Sequence, residues 1–419
     1  MKKRDLFDQT FARNFFDYIS NLFAGDKEEV LIEFKGARIS NGEKQDICGK
    51  LTKNYGYQTR HFKYVNGISM SCPKKSTKKI VAALRNDSAI SSSRHLRNCR
   101  YQARKANLYY IPELKEGFAK SNVSMLEHYI HVSAKKILKA VGLNHGYSWN
   151  LENIGIKQAH KMTKGQGIRI GVIDSGINYK HDELEDRFDK LKGYNFIDDS
   201  NDPMDDNGHG THVAGIAAGK TLGVAPEADL YAIKVLSQNG TGSEGDIING
   251  IEWCIDHNVD IINMSLGSSY PSYLQEEVCE AAIAKGIFIA AAAGNSGYGP
   301  DYPAVYDGVT AVAAVDSDNE HADFSNIWET NDISAPGMDI YSCYLGSYKY
   351  LSGTSMAAPH VAGVAALGKS VHNCQGSDLE SAIKKTAEKI GDKDEPDYES
   401  TFGAGLVRAD NTVKYLSRK

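Results

Sequence analysis

From Ile168 onward, short apolar runs rich in β-branched residues alternate with stretches of helical spacing. IRIGVIDSG is followed by GTHVAGIAAG, ADLYAIKVL by DIINGIEWCIDHN, and VDIINMSLG by YLQEEVCEAAIAKG; then come IFIAAAAGN and VTAVAAVD. Continuous apolar strands alternating with helices predict a parallel sheet covered on both faces, an α/β fold. In such sheets functional groups collect just past the C-terminal ends of the strands. Three conspicuous polar residues fall there: Asp174 after IRIGVI, Ser265 after IINM and Asn295 after IAAAAG.

The first part of the chain has a different rhythm. VLIEFKG (30–36), a helix-like stretch over about 44–54, RHFKYVNGISMSC (60–72), the helix-like KKSTKKIVAALRND (74–87) and a short strand near 88–93 predict a small α+β unit. The expected organisation is an amphipathic extension over 1–27, the α+β unit over 28–98, a linker or covering segment over 99–147 and the α/β domain over 148–419.

Charge supports that division. Of the 419 residues, the first 150 carry 27 Lys+Arg against 13 Asp+Glu, and the remainder 21 against 40. Two units of opposite sign are expected to attract each other. The basic stretch from Lys74 to Lys105 comes with no nucleic-acid-binding motif, so an intramolecular docking face is expected and no nucleic-acid partner. No apolar run approaches a membrane span, and the N-terminus is interrupted by Arg13, Asp17 and Asp26, unlike an export signal. The seven cysteines are scattered and odd in number, with no metal-ligand spacing. Reduced thiols and a cytoplasmic location are the expectation.

The stretch LSGTSMAAPHVAGVAAL (351–367) sets one hydroxyl, Ser355, at the mouth of a helix of small and apolar residues. Alone it reads equally as a helix whose start is capped by Thr354 or Ser355 and as a nucleophile at a helix start that donates N–H groups to an oxyanion. Two other motifs decide between these. GVIDSGI puts Asp174 at a strand end, and DDNGHGTHVAG puts His209 at a helix start, with His212 one turn on. A hydroxyl needs a base to become nucleophilic, imidazole suits that work near neutral pH, and a buried carboxylate fixes the imidazole's tautomer.

With DSG, HGTHVAG and GTSMAAP in the order Asp…His…Ser, the chain resembles the subtilisin family of serine proteases over about residues 150–419. The resemblance implies Ser355 as nucleophile, His209 as general base and then acid, Asp174 as orienting carboxylate and Asn295 as side-chain oxyanion donor, with His212 a packed structural residue. It implies that a peptide substrate adds as a strand between Ser265, Leu266, Gly267 on one side and Gly240, Thr241, Gly242 on the other. YPAVY aligns with a family Tyr-Pro block, which puts Asp301 on the floor of the primary specificity pocket, where a carboxylate favours Lys or Arg before the scissile bond. A solvent-facing Asp in a shortened loop is the other reading of Asp301.

No cofactor is expected. Between GIAAG and LGVAP only Lys220 and Thr221 remain of a loop that wraps a tight calcium in many secreted relatives, and Glu183 stands at the position of a liganding Asp. A weaker cation site near Ala304, Tyr306, Val309 and Asp332 stays open. The unit over 28–98 resembles the family's propeptide, implying a folding aid and inhibitor whose C-terminal tail lies in the cleft; Arg97, Arg100, Arg104 and Lys105 are then candidate self-cleavage points. The expected function is a serine endopeptidase made as a zymogen. The alternatives are a regulated processing protease that retains its propeptide, and a non-catalytic binding protein on the same fold.

Overall fold

The computed structural model describes residues 27–35, 39–73, 80–81, 84, 100–105, 108–110, 148–391 and 397–419. In the first part they form the strands β1 (Lys27–Lys35), β2 (Thr59–His61), β3 (Gly67–Pro73) and β4 (Arg100–Lys105) around the helix α1 (Asn41–Tyr55). The sheet order is β2-β3-β1-β4, and β1 runs antiparallel to both β3 and β4. α1 begins in a capping box: Ser40 and Glu43 each satisfy the other's backbone N–H. Val30, Ile32, Phe34, Ile47, Leu51, Ile68 and Met70 form its core. The sequence pattern placed the end of this unit at residue 98, yet its fourth strand is RYQARK, from the stretch assigned to a linker. A run dense in Arg and Lys carries no apolar alternation, so pairing with an edge is invisible to the pattern. Arg100, Arg104 and Lys105, three of the candidate self-cleavage points, thus lie in a strand ladder with β1, and Arg97 lies outside the described residues. The extension over 1–26 and the expected strand near 88–93 lie outside the described residues.

The second part is built on a seven-stranded sheet from β6 (Arg169–Asp174), β7 (Gly193–Asn195), β8 (Asp229–Lys234), β10 (Ile261–Met264), β11 (Phe288–Ala292), β12 (Thr310–Val315) and β13 (Ile333–Pro336). Its order is β13-β12-β11-β10-β6-β8-β7, every pairing parallel. Successive strand residues feed opposite cores: Ile170, Val172, Ile261, Phe288 and Ala290 face one, while Ile173, Ile262, Met264, Ile289 and Ala291 face the other. Both faces are apolar, so the strands read as continuous rather than alternating runs.

The first face is covered by α2 (His209–Ala218) and α5 (Thr354–Val371), the second by α3 (Glu244–Asp256) and α4 (Tyr273–Ala284). The small residues of α5 permit close packing. A Cβ at Gly363 would lie 2.5 Å from Val224 Cβ, too close for any side chain. Leu31, Phe62 and Val65 of the N-terminal unit belong to the same core as α3 and α4, so the two units share buried apolar surface. Two further strands, β5 (Leu108–Tyr110) and β9 (Thr241–Ser243), pair with each other across the units. Among the described residues no helix is long and apolar enough to cross a membrane. Cys48, Cys254, Cys279, Cys343 and Cys374 are free thiols.

Candidate active site

Asp174 ends β6 and His209 begins α2, and the fold brings both to the C-terminal edge of the sheet. His209 Nδ1–H donates to Asp174 Oδ1 at 2.9 Å, and Ser175 N–H donates to the same oxygen at 2.6 Å. Asp174 is fully buried. A carboxylate in that position holds the imidazole with its proton on Nδ1, leaving Nε2 as the basic nitrogen.

Asp205 and Lys234 lock this pair, and sequence reasoning missed both. The Asp205 carboxylate accepts from Ser175 Oγ at 2.9 Å, from the N–H groups of Asn207 (2.9 Å), Gly208 (3.0 Å) and Thr211 (3.0 Å), and from Thr211 Oγ1 at 2.6 Å. Ser175 Oγ in turn accepts from Gly210 N–H. The opening amides of α2 are thereby satisfied by groups tied to the end of β6. Buried Lys234 donates to the carbonyls of Ser175 and Leu236 and to Asp206. An Asp four residues before a helix-start His was the available signal for Asp205; nothing in DLYAIKVL marks Lys234 as buried.

His212, one turn on, is held by backbone carbonyls. It is buried, its Nε2–H donates to the carbonyls of Ile340 and Lys349, and burial pushes its pKa down to about 3, so it stays neutral.

Ser355 lies in the first turn of α5, fully buried, its Oγ–H donating to Ser265 O at 3.2 Å. Neither Thr354 nor Ser355 caps the helix, because the cap position is Gly353. The Thr354 hydroxyl instead donates to Asn295 Oδ1 at 2.7 Å, joined there by Thr354 N–H at 2.9 Å. With its carbonyl end so held, the Asn295 amide has its NH2 end turned away from Thr354. Pro359 has no N–H for the Ser355 carbonyl, its partner one helical turn back. Ser265 Oγ donates to that carbonyl instead, at 2.8 Å, stapling the Ser355 turn to the end of β10.

The predicted substrate edges flank these residues. Ser265 and Leu266 are buried beside Gly267, and Gly240, at φ +68, closes a turn with its N–H on Ser237 O just ahead of Thr241 and Gly242. The second edge is already paired. Leu108, Tyr109 and Tyr110 of β5 run antiparallel to Ser243, Gly242 and Thr241 of β9.

Asp301 does not face solvent. It is 2% exposed and accepts from Ser269 Oγ at 3.1 Å. A Cβ at Gly294 would come 2.4 Å from its Oδ2, and one at Gly267 3.6 Å, so the carboxylate stands between the glycines that precede Asn295 and follow Leu266. Backbone bonds between Ser268 and Tyr302, 3.0 and 2.8 Å, fix the segment against that edge.

Both Glu183 carboxylate oxygens are engaged by Thr221, one by its N–H (2.7 Å) and one by its hydroxyl (2.6 Å), which ties down the shortened loop. Asp332, of the weaker candidate site, pairs with Lys384 Nζ at 2.6 Å and accepts from Ala311 N–H. Among the described residues no three His, Cys, Asp or Glu side chains converge as a metal site.

A parallel sheet carrying Asp, His and Ser at its C-terminal edge, with an amide beside the Ser, defines the class of serine peptidases with the Asp…His…Ser order. Residues 165–405 match the model of the Subtilase family, and the chain belongs to that family. It is 42% identical over 308 residues to the "Thermostable alkaline protease" of Halalkalibacterium halodurans, covering 71% of this chain and 82% of that protein. It is 40% identical over 259 residues to Subtilisin DY of Bacillus licheniformis, covering 59% of this chain and 91% of that one. The crystal structure of a cold adapted subtilisin-like serine proteinase superposes with a TM-score of 0.53 at 35% identity, over 59% of this chain and 89% of the other. The protein is a subtilisin-like serine peptidase.

Proposed function

We propose that the chain is an endopeptidase that cleaves through an acyl-enzyme on Ser355, with His209 as general base and then acid, Asp174 orienting the imidazole, and Asn295 with the Ser355 N–H holding the oxyanion. The hydrogen bond from His209 to buried Asp174 is the single observation that carries this reading, since it readies a base. The peptide lies between Ser265–Gly267 and Gly240–Gly242, recognised through its main chain.

The N-terminal unit is an inhibitory propeptide in this reading. Support comes from the pairing of β5 with Thr241–Ser243, which fills the edge a substrate strand would use, and from the opposite charges of the two halves. The protein partners are thus a peptide or protein substrate and the chain's own propeptide. Asp301 selects Lys or Arg before the scissile bond, supported by its burial between Gly267 and Gly294. No tight calcium is required, which the engagement of Glu183 by Thr221 supports. A cytoplasmic site of action rests on the scattered, odd-numbered cysteines of the sequence; the relative named "Minor extracellular protease Epr" points the other way, and cell fractionation decides.

Matched peptides that differ only before the scissile bond test the specificity. Arg and Lys peptides should be cut fastest, and a preference for Phe or Leu removes the role of Asp301. Intact mass of the purified protein beside Ser355→Ala tests self-processing. Different termini are expected, and identical termini rule it out.

A further inference from the structure

The seam between the N-terminal sheet and the helices α3 and α4 is closely fitted. A Cβ at Gly245 would come 2.3 Å from Glu29 Oε1, and one at Gly67 would come 2.8 Å from Leu274 Cδ1, so a glycine on each side permits the approach. Into the first recess β1 sends Glu29, whose Oε2 accepts from Gly245 N–H at 2.9 Å in the opening turn of α3.

The recess is crowded with carboxylates. Glu244, fully buried, adjoins Glu29 and takes the hydroxyl of Ser272, the residue that caps α4. Asp246 accepts from Ser243 Oγ at 2.9 Å and from Arg60 of β2 at 3.3 Å. Ser69 of β3 and Ser243 also bond to Glu29, and Glu33 lies buried further along β1. Arg60 is the cation that reaches Asp246 here, and it is shared with Asp199 at 3.9 Å. Further along the seam Glu252 accepts from Tyr64 N–H at 2.5 Å, with Lys44 and Asp256 as charged neighbours, and Glu277 accepts from Asn66 N–H.

We propose that this seam is a proton-linked latch: docking of the N-terminal unit takes up a proton on the Glu29–Asp246 pair, and rising pH loosens the unit from α3 and α4. Its effect on activity rests on the reading of that unit as an inhibitor. Burial, then repulsion from Glu29, lifts Asp246 to about 7. Burial also raises Glu29, although hydrogen bonds from Ser69, Ser243 and Gly245 oppose it. Burial raises Glu252 as well. Asp256 at the rim shows the opposite balance, since Lys63 and Tyr64 outweigh its burial and hold it low.

The sign follows from linkage. Once the units part, both carboxyls return to water and to about 4. Below about 4 both forms are protonated, and above the docked value both are ionised. Between these limits the docked form holds the extra proton, so docking weakens about tenfold per pH unit.

The test uses the full chain carrying Ser355→Ala, which cannot cut itself. Hydrogen-exchange protection factors, with the intrinsic pH dependence divided out, are read for Gly245 N–H and Tyr64 N–H across the seam and for Ile262 in the central sheet. From pH 5 to 7 seam protection should fall by roughly 100-fold while Ile262 stays level. The isosteric pair Glu29→Gln and Asp246→Asn should flatten that fall. A pH-independent seam in the parent, or an unchanged slope in the double variant, overturns the latch. Fluorophosphonate labelling of Ser355, compared at each pH between the chain with native Ser355 and its double variant, separates the two readings. If the seam loosens with pH and labelling ignores it, the latch stands and the inhibitor reading fails.

Discussion

The active-site edge and the domain seam use the same kinds of group to opposite ends. At the edge, each acid is matched: Asp205 takes five hydrogen bonds, and Asp174 takes His209 and Ser175. At the seam, Glu29 and Asp246 repel each other beside Glu244, and Arg60 pairs with Asp246. Matched buried charges fix geometry, whereas crowded ones respond to protons. The edge is built to hold one arrangement and the seam to be left. The largest test of the edge is removal of its nucleophile or base. Ser355→Ala or His209→Ala should lower kcat by about 10⁶, the size of effect found in subtilisin itself, with the fold intact by circular dichroism.

Next in size is Asn295→Ala, for which kcat should drop about 10²–10³-fold at nearly constant KM, again a magnitude known from subtilisin. A loss carried by KM instead would make Asn295 a binding residue. Asp301→Asn should follow. A charged hydrogen bond contributes about 1.5–3 kcal/mol, so the kcat/KM preference for Arg over Phe should shrink about 10- to 150-fold. An unchanged ratio would place the carboxylate outside the pocket's chemistry.

Smaller effects appear in stability rather than turnover. Ser265→Ala strips the Ser355 carbonyl of the donor that replaces the missing Pro359 N–H, and should cost about 1–3 kcal/mol in denaturant unfolding. Gly67→Val meets Leu274 at the seam and should lower seam protection in hydrogen exchange while leaving the β10–β11 ladder untouched. Equal loss in both would mean that the two regions unfold as one.

The sheet and the placing of Asp174, His209 and Ser355 along its edge were legible because their signal is local. Apolar runs mark β6, β8, β10 and β11, and Asp174, His209 and Ser355 each sit in a short motif next to an element boundary. What escaped depends on distant partners. β4 is a basic run that becomes a strand through β1, and Lys234 is buried because carbonyls and Asp206 meet it. Thr354 reads as a cap until the position of Asn295 is known. Asp301 stood evenly between pocket and solvent, since only packing against Gly267 and Gly294 reveals its burial.

The central claim is that Ser355 is a nucleophile activated by His209 and Asp174. Reaction of the full chain with a fluorophosphonate, followed by peptide mass mapping, tests it most directly. The account predicts one adduct, on Ser355, lost in Ser355→Ala and strongly slowed in His209→Ala. No adduct at any pH from 5 to 9, or an adduct on another residue that survives Ser355→Ala, would contradict it.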